Sequence, residues 1–220
     1  MSVSKAAVEA AYQKQARNYD LALKFYRLIG LRIEAYRARA IELLNLKAGD
    51  RVVDLGCGTG LSFAPMLEKI GPEGQIIGVD LSAEMLRCAR ERAQRERWMN
   101  VELVHADIAD YVIPERMNGV FSTGVFGYVT ERDAVIERVA HTLVPGGCVA
   151  IVDGKRPTAW PEWLFRMFVQ VSKPFGLTEA YFDARTWTSI ERWFTRTTFQ
   201  SVYGGLIYIA SGAAAVGDVG

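Results

Sequence analysis

Cysteine and histidine are scarce in this sequence, three and two residues among 220. Cys57, Cys88 and Cys148 are odd in number and widely spaced, which argues against a disulfide framework or a zinc site and suits a reducing cytoplasm. No metal site is expected. Two histidines leave few candidates for a general base. No apolar run approaches the ~20 residues that a membrane span needs. The first residues, MSVSKAAVEAAYQ, lack the apolar core of a signal peptide. The expected location is the cytoplasm, with peripheral attachment to the inner face of a membrane left open. Charge of one sign is lacking too. With 26 Lys and Arg against 25 Asp and Glu, the net charge of +1 gives no global attraction to nucleic acid. There is no internal repeat and no low-complexity stretch. What remains is an ordinary globular composition, half hydrophobic and 23% charged. Such a length buries roughly 70% of the unfolded surface without covalent staples.

Three zones follow one another. Residues 1–47 read as an amphipathic helical lid or membrane-contact segment. Residues 48–220 read as one ligand-binding domain, with an aromatic-rich insertion at about 154–193. Its strands are predicted at Arg51–Leu55, Gln75–Asp80, Val101–His105, Gly119–Thr123 and Cys148–Asp153. Between them lie helical patterns over Ser62–Lys69, Ala83–Arg97 and a segment ending at Leu143. Ser82 is a candidate cap for the second helix, and Thr130 with Asp133 for the third. Pro145-Gly146-Gly147 is expected to end that third helix. Apolar strands joined by helices imply a parallel sheet covered on both faces. Near the end, Thr197–Tyr203 and Leu206–Ala210 flank Gly204-Gly205, a tight-hairpin signal. LIYIA is nearly all apolar, so that last strand is expected inside the sheet, antiparallel to its neighbours.

The segment DLGCGTG, Asp54 to Gly60, follows a strand and precedes a helix. Its glycines permit a tight turn and close approach of backbone to a ligand. A dinucleotide fingerprint beginning at Gly56 requires Gly or Ala at position 61, where this chain has Leu61. The spacing is instead G-x-G-x-G with an acid two residues before it. Asp54 would repel a pyrophosphate and attract an ammonium group. One β-α unit later the next strand ends in Asp80, placed to accept hydrogen bonds from ribose hydroxyls. The third strand is followed by Asp107-Ile108. Asp107 can accept from an adenine amino group or simply cap a helix, and Ile108 or Leu81 can lie against the ring.

In these motifs the chain resembles the class I S-adenosylmethionine (SAM)-dependent methyltransferases over about residues 48–211. VVDLGCGTG is similar to their first motif, GVDLSAEML to their acidic second motif, and HADI to their adenine motif. The resemblance implies an α/β fold: a Rossmann-like, seven-stranded, mostly parallel sheet with an antiparallel last strand, helices on both faces and an N-terminal helical lid. It implies SAM as cofactor. Asp54, Gly56, Gly58 and Gly60 would face the methionine part, Asp80 the ribose, and Asp107-Ile108 the adenine, with Cys57, Leu81 and Met85 also binding the cofactor. Thr123 would sit beside the sulfonium, with Phe126 and Tyr128 toward the acceptor. Asn118 stands where the family usually has Asp. Methyl transfer from an activated donor chiefly needs proximity and alignment, and no general base stands out in the sequence.

The acceptor is read from the flanking zones. Residues 1–40 carry eight Lys or Arg against three acids, with Tyr12, Tyr19 and Tyr26 at seven-residue intervals. A basic amphipathic segment suits an anionic membrane surface, whereas a tyrosine stripe equally suits packing on the core as a lid. YQKQARNYD is similar to a segment of bacterial phospholipid N-methyltransferases, and its Tyr-Asp pair occurs also in quinone-biosynthesis methyltransferases. By that likeness Tyr19 is the candidate catalytic residue, and Tyr12 and Tyr26 would contact substrate. The insertion places Trp160, Trp163, Phe165 and Phe168 among cations, which fits an interface with lipid or a cover over an apolar pocket. The expected acceptor is hydrophobic: a phospholipid amine such as phosphatidylethanolamine, or alternatively a quinone or other apolar small molecule methylated on C or O. A non-catalytic SAM-binding protein acting through partners is the remaining alternative. Nucleic acid is disfavoured, since neither a catalytic Pro-Cys nor a [DN]PP[YFW] motif is present. The chain is expected to be a monomer or homodimer.

Overall fold

The computed structural model describes residues 32–173 and 176–216. Seven strands form one sheet: β1 (Arg51–Leu55), β2 (Gln75–Asp80), β3 (Val101–His105), β4 (Met117–Thr123), β5 (Leu143–Gly154), β6 (Thr195–Val202) and β7 (Ile207–Ala213). Their order is β3-β2-β1-β4-β5-β7-β6. β7 is antiparallel to β5 and to β6, and all the other pairings are parallel. The described helices are α1 (Ile33–Glu42), α2 (Phe63–Ile70), α3 (Ala83–Arg95), α4 (Arg132–Thr142), α5 (Glu162–Ser172), α6 (Glu179–Phe182) and α7 (Thr186–Trp193). No helix among the described residues is long and apolar enough to cross a membrane.

Alternation along the strands divides the core in two. Val53, Leu55, Val120, Val149, Ile151 and Tyr208 pack on one face, in the cluster that includes Val135 of α4 and Ile190 of α7. Val52, Ile76, Phe121, Ala150, Val152 and Ile209 pack on the other, with Ile41 of α1, Met66 of α2 and Leu86 of α3. Strands clothed on both sides need apolar residues at every position, hence runs such as CVAIV. A third cluster, Phe165, Val169, Tyr181, Phe182 and Leu206, joins α5, α6 and the β6–β7 connection. Arg156 ties this layer to β5. It pairs with Glu162, Glu179 and Asp183 and lies 4.4 Å over the Phe165 ring.

Four boundaries differ from the sequence reading. Thr130 makes no cap: α4 starts at Arg132 after Glu131, and no side chain caps it. Asp133 instead pairs with Arg192 of α7, at 2.7 Å, so a tertiary contact takes the residue assigned to the cap. Pro145-Gly146-Gly147 does not separate helix from strand but lies inside β5. The register there slips between Met117↔Leu143 and Gly119↔Cys148, with Gly146 at positive φ, so these residues form a bulge. The hairpin turn is wider than two residues. Val202 pairs with Ile207, and Tyr203, Gly204 and Gly205 all take positive φ. α3 ends at Arg95, two residues early. Ser82 does cap α3, accepting from the Met85 amide at 3.3 Å. Asn118 accepts the Arg51 amide at 2.9 Å, fastening the start of β1 to β4.

Candidate active site

In a parallel sheet the strands share one carboxyl edge, and the loops leaving it converge. Here the turn after β1 carries three glycines. Gly56, Gly58 and Gly60 have φ of 74°, 55° and 76°, in the left-handed region that favours glycine. The turn is pinned to β2: the amides of Gly56 and Cys57 donate to Val79 O at 2.7 and 3.0 Å. The three glycines do different jobs. A β-carbon on Gly56 would stand 2.1 Å from Val125, and one on Gly60 2.7 Å from Phe63, so both permit close packing. A β-carbon on Gly58 would meet nothing within 4 Å, so Gly58 borders open space.

Asp54 precedes this turn, Asp80 ends β2, and Asp107 follows β3. Asp54 is 1% exposed, and its Oδ2 has no hydrogen-bond partner among the described residues. Burial pushes its carboxyl up to about 7, against the attraction of Arg37 and with repulsion from Asp80 added. Arg37, on α1, is itself buried. Asp80 accepts the Gly58 amide at 2.8 Å and the Ser82 amide at 2.9 Å. Burial raises its carboxyl, opposed by those two hydrogen bonds and by His105. Each carboxylate oxygen keeps a further lone pair. Asp107 accepts the Ala109 amide at 2.9 Å, so it makes a local turn whatever else it contacts. Ile108 beside it is 6% exposed. Leu81 is half-buried, and its carbonyl lies 2.8 Å from His105 Nε2. Met85 is 1% exposed in the first turn of α3. Cys57 is buried, and burial holds its thiol well above the ordinary range, which makes it a poor nucleophile.

The exit of β4 closes the other side. Thr123 Oγ1 is buried without a partner among the described residues. Gly124 has φ 72°, and a β-carbon there would find nothing nearer than Tyr181 Oη, at 3.9 Å. Phe126 is 1% exposed and belongs to the core cluster of α4. Its ring packs in the core beside Val135 and Ile136 of α4. Tyr128 is half-buried with its ring 4.7 Å from Tyr181. Tyr12, Tyr19 and Tyr26 lie outside the described residues.

The sequence reading missed Arg37, Asp153 and Tyr181. Asp153, at the end of β5, is 3% exposed. It accepts from the Gly154 amide at 2.8 Å, the Gly127 amide at 3.2 Å and the Tyr181 hydroxyl. Burial pushes its carboxyl up to about 6 in spite of those donors. The Tyr181 ring fills the space beside two glycines, since a β-carbon on Gly127 or Gly154 would meet it at 2.2 or 2.6 Å. An acid ending the apolar run CVAIVD was the available signal, the same one that singled out Asp80. Asp153 thus adds a buried carboxylate at the end of β5 to the acids Asp54 and Asp80.

The cradle has what a cationic amino-acid nucleoside requires. A buried carboxylate oxygen, unpaired among the described residues, stands beside a glycine turn that leaves room at Gly58, followed by an acid at the end of β2. Comparison with known proteins agrees. Residues 52–147 match the family model described as a methyltransferase domain. Demethylmenaquinone methyltransferase of Listeria welshimeri is 29% identical over 174 residues, which cover 77% of this chain and 72% of that protein. The ubiquinone/menaquinone biosynthesis C-methyltransferase of Pseudomonas putida is 32% identical over 154 residues, 69% of this chain and 59% of that protein. Among solved structures, a SAM-dependent methyltransferase from Aquifex aeolicus superposes with a TM-score of 0.59 at 19% identity, covering 81% of this chain and 89% of that one.

Proposed function

Because this chain is a class I SAM-dependent methyltransferase, what its geometry has to explain is the acceptor, and we propose a reduced quinone, methylated on a ring carbon. The observation that carries this is the aromatic layer over the ends of β4 and β5. Tyr128, Tyr181, Phe182, Phe165, Phe168 and Trp160 form one cluster there. Such a layer suits a flat apolar ring, which gains both from area removed from water and from edge-to-face contacts. The relatives named for demethylmenaquinone and for ubiquinone/menaquinone biosynthesis support the same acceptor class. The phospholipid-amine reading drew on the basic, tyrosine-rich segment, most of which lies outside the described residues.

SAM supplies a methyl group already activated on a sulfonium. In this proposal Asp54 and the turn from Gly56 to Gly60 hold the methionine part, with Asp54 opposite its ammonium. Asp80 takes the ribose, and Leu81, Met85, Asp107 and Ile108 enclose the adenosine end. Thr123 and Gly124 border the reacting centre. The chain's contribution is to align acceptor and donor and to exclude water, worth several orders of magnitude when two reactants are held in line. Delivery of a greasy acceptor fits α5, whose outward face carries Trp163, Met167 and Val171 at four-residue spacing, 66%, 53% and 70% exposed. In this reading α5 touches a lipid surface. The test is incubation with methyl-labelled SAM and a chemically reduced, prenylated naphthoquinone lacking the ring methyl. Label in the ring-methylated product supports the proposal. Its absence, from protein that binds SAM in calorimetry, overturns it.

A further inference from the structure

We propose that Tyr181 and Asp153 form the proton acceptor for the acceptor's ring hydroxyl, Tyr181 touching the substrate and Asp153 acting through it. The inference rests on the hydroquinone reading, because only an acceptor with an acidic O–H has a proton to give up before its carbon attacks.

The geometry points there in three ways. Tyr181 Oη donates to Asp153 Oδ1. The space over Gly124 is open as far as that same hydroxyl, 3.9 Å from where a β-carbon would stand. The residue after Gly124, Val125, packs against Gly56 of the cofactor turn, so the pair adjoins the place where donor and acceptor meet. The tyrosine is held tightly: Gly127 and Gly154 leave room for its ring, and Tyr128 and Phe182 pack on it at 4.7 and 5.0 Å. A phenol fixed in this way and backed by a carboxylate resembles the oriented base pairs that activate nucleophiles elsewhere.

The groups facing Asp153 leave it free to titrate. From the turn after β4 come the Phe126 and Gly127 amides, from β5 itself the Gly154 amide, and from α6 Tyr181. From β7 comes Tyr208, directly opposite in the pairing, whose phenol burial holds well above its ordinary range and hence neutral. Arg132 of α4 acts on Tyr208. Asp153 is thus a buried carboxylate, raised by burial to about 6, suited to accepting a proton near neutrality.

The acceptor's hydroxyl proton passes to Tyr181 Oη while the Tyr181 proton passes to Asp153. The O–H electron pair stays on the acceptor, which becomes a phenolate, and the carboxylate becomes a neutral acid. Negative charge delocalised onto the ring carbon makes it nucleophilic. After methylation that carbon loses its hydrogen as a proton. The oxygen regains one through Tyr181, so one proton per turnover reaches solvent.

Two measurements on the full chain test this. In the first, without SAM, a nitronaphthol whose anion absorbs visible light is bound and titrated. The wild type should ionise the probe at lower pH than water does, and Tyr181→Phe and Asp153→Asn should abolish the shift. In the second, kcat with the reduced naphthoquinone is followed against pH. The wild type should lose activity at low pH on the titration of the carboxyl. Asp153→Asn should remove that limb and lower kcat by roughly 10²–10⁴-fold, the range for a lost general base, with KM little changed. Tyr181→Phe keeps the ring and serves as the folding control, checked by thermal denaturation. Variants that keep both the probe shift and the wild-type pH profile overturn the proposal. Quinol turnover that survives in both variants overturns it while leaving the acceptor reading intact. A probe shift lost in both variants, without any quinol turnover, sustains the pair as a base and removes the quinone.

Discussion

Asp80 shows how one side chain serves fold and ligand together. Its carboxylate fastens the glycine turn through the Gly58 amide and starts the β2–α3 connection through Ser82. Its remaining lone pairs face the same edge. Asp80→Ala removes charged hydrogen bonds of about 1–3 kcal/mol, so SAM affinity by calorimetry should fall between about fivefold and a hundredfold. Unchanged affinity would remove Asp80 from the ribose. This residue, like Asp54 and the glycines, was legible in the sequence because local rules place it: an acid ends a strand, one β-α unit after a glycine turn. Asp153 and Tyr181 were not, because they are 28 residues apart and meet only when α6 folds over β5. The burial of the Phe126 ring likewise depends on a distant element, α4.

At the scale of elements, strands read better than their ends. Period and apolarity located the five parallel strands anticipated, and the diglycine located the antiparallel one. The caps and turns failed where tertiary contacts intervened, as when Arg192 of α7 engages Asp133 or when β5 absorbs Pro145-Gly146-Gly147 as a bulge. α5 is the element whose sequence is hardest to satisfy inside one molecule, since it is apolar on two sides. Phe165 and Val169 face inward at 1% and 3% exposure, while Trp163, Met167 and Val171 face out. Replacing Trp163 and Met167 by serine should lower sedimentation with lipid vesicles by about tenfold, the scale of losing 1.4 kcal/mol of apolar contact, and leave SAM affinity unchanged. Equal vesicle binding would make α5 an ordinary exposed helix.

For the whole molecule, the parallel sheet gathers its acids at one buried edge, and that has a cost in stability. Asp54 and Asp153 are raised to about 7 and about 6 by burial. An unfolded aspartate titrates near 3.9, so both bind a proton more tightly when folded. Their contribution is complete below about pH 4 and is lost as pH rises through about 6 for Asp153 and about 7 for Asp54. Urea denaturation of the ligand-free protein should therefore show stability falling between about pH 4 and about pH 7 and levelling above that, on the order of a few kcal/mol in all. Asp54→Asn should flatten the upper part of that decline. A profile independent of pH, in the wild type, would mean that the two carboxyls are not held as described.

The central claim concerns which molecule receives the methyl group, and the most direct measurement lets two acceptors compete. Vesicles containing phosphatidylethanolamine and the reduced, demethylated naphthoquinone are incubated together with methyl-labelled SAM, and the lipids are separated. The account predicts label on the quinone ring carbon and none on the phospholipid headgroup. Label on the headgroup alone would contradict it and return the acceptor to a phospholipid amine.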